Sequence, residues 1–145
     1  MSVDLQLANA RRSAVPSLAR VETWVQSTFT TIGSPPRDIT VRVTDESEMK
    51  ALNLRFRGMD RPTNVLAFPF ERVPGVDYSP LGDIVICYPV VMDESTRQGR
   101  PVSLHFAHMV IHGTLHLCGF DHQTEKTAAV MEAVEQRILR DICVD

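Results

Sequence analysis

His112-Gly113-Thr114-Leu115-His116-Leu117-Cys118-Gly119-Phe120-Asp121-His122 carries three of the five histidines in the chain. The first two are four residues apart, which on a helix stacks their rings on one face, one turn apart. Gly119 is a residue at which a helix can stop, because glycine accepts positive φ without a Cβ clash. The chain can then fold back and bring His122 toward the first two rings. Three neutral imidazoles converging on one point make a facial cup with an open coordination position, which suits a catalytic zinc rather than a structural one.

The same helix carries His105 and His108. At about 100° per residue, His105, His108, His112 and His116 all fall within about 80° of one another. Only two of the four can share an ion with His122, and His112 and His116 are nearest the turn. His105 and His108 either line a cleft or are ordinary packed histidines, with packing the preferred reading. Cys118 lies about 200° round the helix from His116 and is read as a buried apolar residue, which leaves the metal site open.

Outward from this stretch the chain reads as alternating elements. Val3, Leu5 and Leu7 alternate with polar residues as a half-buried strand does, and so do Ile39, Val41 and Val43. Between them Pro16 opens a helix with Leu18, Val21, Val25 and Phe29 as its apolar stripe, ending before Gly33. Asp45 caps the next helix with Glu48 in capping-box position. Its buried stripe is Met49, Leu52 and Phe56, with Arg55 and Arg57 in the last turn. After the loop at 58–63, Asn64 to Phe70 is a short strand. Glu71 to Pro80 is a loop, and Leu81 to Cys87 a fourth strand. Asp83 is a carboxylate inside that apolar strand, either bonded to a loop or on an exposed face. Pro89 opens a helix stopped by Gly99, Ser103 caps the motif helix, and a last helix starts near Gln123. Its buried side is drawn from Ala129, Val130, Ala133, Ile138, Leu139 and Ile142. The expected fold is α/β (α+β): a small four-stranded mixed sheet packed with about five helices around a zincin-like three-histidine metal site. The last two strands are expected to be antiparallel, and 1–145 to form one domain.

The 145 residues are 43% hydrophobic and 23% charged, with a net charge of -3, which excludes nucleic-acid binding by bulk charge but not a local basic groove. No apolar run approaches the roughly 18 residues needed to span a bilayer, so no membrane is expected as a partner. Met1 to Asp4 has no basic region leading into an apolar stretch, so no secretory signal is expected. Cys87, Cys118 and Cys143 are odd in number and widely spaced, as for reduced thiols in a cytoplasm. Basic residues are lopsided, 13 arginines to two lysines, and arginine suits phosphate recognition.

The spacing His112-x3-His116-x2-Gly119-x2-His122 is also that of metzincin peptidases, where a glutamate general base follows the first histidine. Here that position is Gly113, so the equipment for peptide hydrolysis is lacking. The motif instead resembles the signature of the YbeY family, bacterial single-strand-specific endoribonucleases, with Phe120 where a tyrosine is usual. A second block is similar too: Leu52-Asn53, Phe56-Arg57, Pro62-Thr63, Val65-Leu66 and Phe68-Pro69. Asn64 stands there for a usual aspartate and Ala67 for a usual serine. Leu81-Gly82-Asp83-Ile84 is a third block.

The resemblance implies a cytoplasmic, zinc-dependent ribonuclease, one Zn²⁺ per chain. It implies action on ribosomal RNA, at the 3′ end of 16S rRNA, and in ribosome quality control. Single-stranded RNA and the ribosome or its small subunit are the implied partners. Three imidazoles also accept nickel and copper. His112, His116 and His122 would hold the ion, and Arg57, where the family's functional arginine maps, would stabilise charge developing on phosphorus. Asp121 is a supporting acceptor for a histidine or a turn residue; Asn64 and Asp83 are further supporting candidates. The alternatives are a ribosome-assembly factor whose metal only braces the fold, and a metallopeptidase.

Overall fold

The computed structural model describes residues 1–76 and 79–143, without the side chain of Cys143. Two residues of the 71–80 loop, and the third cysteine's thiol, therefore lie outside the described residues. The chain runs β1 (Val3–Leu7), α1 (Leu18–Ile32), β2 (Ile39–Thr44), α2 (Glu46–Arg57), β3 (Val65–Pro69), β4 (Gly82–Cys87), α3 (Tyr88–Gln98), α4 (Val102–Leu117) and α5 (Glu125–Cys143). A short 3₁₀ turn at Arg12–Ala14 precedes α1. The sheet order is β1-β2-β4-β3. β1, β2 and β4 are parallel, and β3 is antiparallel to β4, so the sheet is mixed as expected.

Alternation along the strands sorts the side chains into two layers. Val3, Ile39, Val41, Val43, Ile84 and Ile86 face the main core with α1, α4 and α5, and Val65 and Ala67 pack against it from β3. Leu66, Val85 and Cys87 face the other way, where Met49 of α2 joins them. β4 is central and covered on both faces, which is why it is apolar at nearly every position. α4 packs against α1, α3, α5, β3 and β4, and buried residues lie all round it, from Phe106 to Leu115. It is the axle of the fold.

Local chemistry sets the ends of the helices. Ser17 Oγ accepts from Arg20 N at 3.3 Å and caps α1, so Pro16 precedes the cap rather than lying in the first turn. Asp45 Oδ1 accepts from Glu48 N at 2.9 Å. Glu48 does not close a capping box; its carboxylate turns back to β2, accepting from Arg42 Nη2 at 2.8 Å and from the Thr44 hydroxyl. α4 begins one residue after Pro101, which has no side-chain cap; Ser103 lies inside the first turn.

Three expected stripes are corrected. Leu18 is 43% exposed and Phe56 is 54% exposed; at the end of α2 Phe56 meets the edge of Phe68, with ring centroids 5.0 Å apart, and the Arg55 guanidinium lies over its ring. On α5 the buried line is Met131, Glu135, Ile138 and Leu139, whereas Ala129, Val130 and Ala133 face outward. Burial of Glu135, one turn after Met131, sets the phase of that helix. Cys87 and Cys118 are free. Among the described residues no helix is long and apolar enough to cross a membrane.

Candidate active site

α4 ends at Leu117, and Gly119 takes φ 100°. The turn is fixed by Gly119 N donating to His116 O at 3.1 Å and Phe120 N to Leu115 O at 3.0 Å. It returns His122 to the other two histidines, as the spacing predicts. The ring centroids form a nearly equilateral triangle: His112 to His116 6.0 Å, and His122 5.6 Å from each.

Their partners decide which nitrogen each ring presents. His116 Nδ1 lies 2.9 Å from the Phe120 carbonyl, which only accepts, so Nδ1 carries the proton. His112 Nδ1 lies 2.6 Å from Glu135 Oε2 in the same way. Both rings therefore keep the Nε2 lone pair for the cavity. Burial, the first cause, pushes the His116 imidazole below its ordinary value; the Phe120 carbonyl opposes this and the other two histidines reinforce it. Burial alone would raise the Glu135 carboxyl, but the hydrogen bonds and charges of His108 and His112 outweigh it and hold it at about 2.

The histidines share a cavity of about 200 Å³ with Arg57, Gly113 and the β3 residues Val65, Leu66 and Ala67. Arg57 is exposed at the end of α2 and, among the described residues, makes no hydrogen bond or ion pair. One turn before it, the buried Asn53 donates from Nδ2 to Arg61 O at 2.8 Å and ties down the loop after the helix. A Cβ on Gly113 would lie 2.9 Å from Ile84 side-chain atoms. A glutamate base there would require Ile84 to move, and this chain carries none at that position.

The supporting candidates separate. Asp121 Oδ1 accepts from Gln123 N at 3.2 Å, the bond of a turn residue; the acceptor for His116 is a carbonyl instead. Asn64 Oδ1 accepts from Val65 N at 2.7 Å and its Nδ2 donates to Glu94 at 3.1 Å. An aspartate at 64 would set two carboxylates face to face, so an amide suits this chain. Asp83 is exposed on the opposite face of the sheet, in a groove with Arg42 and Glu48, and the cavity does not include it. Cys118 is half-buried and lines a different hollow, with Phe120 and Val130.

Sequence reasoning missed a second polar group behind the histidines. His105 Nε2 lies 2.9 Å from Glu94 Oε1, His108 Nε2 lies 3.2 Å from Glu135 Oε1, and Arg100 reaches both rings. These line an adjoining hollow of about 290 Å³ that shares Val65 and His112 with the first. The available signal was a carboxylate at 135 in register with Met131 and Ile138.

Three imidazoles with two committed Nδ1 atoms are the donor chemistry of a zinc site. Among the described residues, however, no three His, Cys, Asp or Glu side chains form a group that could hold a metal ion as they stand. The three rings stand with centroids 5.6–6.0 Å apart, but the zincin-like metal cup expected from the spacing is not formed as a donor set among the described residues.

A family model described as Endoribonuclease YbeY matches residues 6–143. The solution structure of TM1509 from Thermotoga maritima is similar over 97% of this chain and 88% of that one, at 27% identity and a TM-score of 0.65. The family match takes in the whole of the sheet edge, α4 turn and α5 carboxylate that surround the histidines, and the chain belongs to the YbeY endoribonuclease family.

Proposed function

We propose that the chain is a zinc-dependent endoribonuclease that cuts single-stranded RNA. Its substrate in this reading is ribosomal RNA, at the 3′ end of the 16S species, in maturation and ribosome quality control. The ribosome or its small subunit is the partner, the cytoplasm the compartment, and 1–145 a single catalytic domain. Family membership supports the nuclease chemistry. The observation that carries the site is that three imidazoles and Arg57 line one small cavity.

His112, His116 and His122 would hold the ion. When bound, zinc, or another divalent transition metal that accepts imidazole, supplies Lewis-acid activation of water and of a phosphoryl oxygen. The Phe120 carbonyl keeps the His116 proton on Nδ1, so this ring serves as a donor atom and not as a proton shuttle. Arg57, with its planar fork of donors, takes the non-bridging oxygens as they gain charge in the transition state. Gly113 has no side chain to hold α4 off Ile84, so the helix that carries His112 and His116 lies close against β4 beside the cavity. Asp121 shapes the turn that delivers His122, Asn64 fixes the start of β3, and Asp83 takes no part.

The test is incubation of the pure protein with a single-stranded RNA oligonucleotide, with and without chelator. Cleavage should depend on metal, and His116→Ala should lose metal uptake and cleavage together. Cleavage that survives in that variant belongs to a contaminant and removes the assignment.

A further inference from the structure

We infer that Glu135 is a positioning residue that locks His112 with its proton on Nδ1 and its Nε2 lone pair toward the cavity, and that Arg100 makes the lock one-directional. This rests on the reading of His112 as a site residue. The direction of each bond follows from groups that cannot reverse. An arginine has donors only. Arg100 Nη1 lies 3.3 Å from His108 Nδ1 and 3.5 Å from His105 Nδ1. Both rings must accept there, so both carry their proton on Nε2. His105 then donates to Glu94, which also receives the Asn64 amide. His108 donates to Glu135 Oε1. The second oxygen of Glu135 is left for one donor, and His112 Nδ1–H supplies it at 2.6 Å.

Glu135 is 4% exposed, so water does not compete for either oxygen. Only a carboxylate accepts on both sides. A glutamine has one acceptor and would aim N–H at one of two rings. Facing His112, it would demand an acceptor at Nδ1 and move the proton to Nε2, the atom needed in the cavity. Facing His108, it would set donor against donor, because Arg100 holds that ring's tautomer. A residue that merely filled space would leave the protons where they are.

Imidazole ¹⁵N NMR on the metal-free protein reads the tautomers directly. The expected wild-type result is an Nδ1–H His112 beside Nε2–H His105 and His108. Glu135→Gln should lose the His112 tautomer, and zinc affinity by calorimetry should fall about 10- to 100-fold. Glu135→Asp, which keeps two acceptors, should recover part of both. An Nε2–H His112 in the wild type overturns the inference, as does a glutamine variant with unchanged tautomer. Should the glutamine variant not fold, the wild-type spectrum decides alone. If the tautomer follows Glu135 while zinc affinity does not, the metal-ligand reading of His112 fails and the lock stands.

Discussion

The two walls of the cavity are built on opposite plans. The histidine wall stands on α4, the most enclosed helix, and each of two rings is tied through Nδ1 to an acceptor in α5 or the following turn. The arginine wall is the last turn of α2, where Arg57 is exposed and, among the described residues, its side chain makes no hydrogen bond or ion pair. One wall has its geometry fixed before anything binds; the other keeps a long side chain free to follow its target. A reaction that needs an exact donor set and a mobile charge on phosphorus is served by that division.

Breaking the fixed wall should have the largest consequence. His116→Ala should abolish metal uptake and RNA cleavage together, read by metal analysis and gel assay. Removing the free wall should separate the two functions: Arg57→Ala should bind metal as before and lose roughly 10²- to 10³-fold in rate. Unchanged turnover would remove its role. The hidden support of the fixed wall should show in acid. The Glu135 carboxyl titrates at about 2 in the fold against an ordinary value of 4.5. Its contribution, roughly 3 kcal/mol, is therefore full above pH 4.5 and is lost as pH falls toward 2. Denaturant unfolding of wild type and Glu135→Gln at pH 6 and pH 3 should converge on acidification; a constant gap refutes the assignment. Gly113→Ala should cost about 1–3 kcal/mol by pushing α4 off Ile84, measured by thermal unfolding. Smallest, Asn64→Asp should cost about 1 kcal/mol through repulsion with Glu94, and less at low pH.

How much of this was legible in the sequence differs between the same two walls. The histidine spacing and Gly119 are local, so helix geometry alone placed His112, His116 and the return of His122. The mixed sheet followed from strand alternation and the run of β4. Glu135 was not legible, because its burial is repaid by two histidines 23 and 27 residues away, and nothing near 135 announces them. The apolar residues of α5 alone did not give its phase, because a carboxylate occupies the buried line between Met131 and Ile138. Phe56 misled in the other direction: helical period put it in a stripe, but at the end of α2 it meets Phe68 by an edge and stays 54% exposed. Asp83 sits in a sequence block like that of the histidine motif, yet strand parity sends it to the far face.

The contact between Gly113 and Ile84 has a bearing on how such sites diversify. Peptidases with this ligand spacing need a carboxylate where Gly113 stands, and here that step is closed unless residue 84 shrinks in the same event. Two chemistries that look one substitution apart on paper are thus separated by a concerted change in helix and sheet.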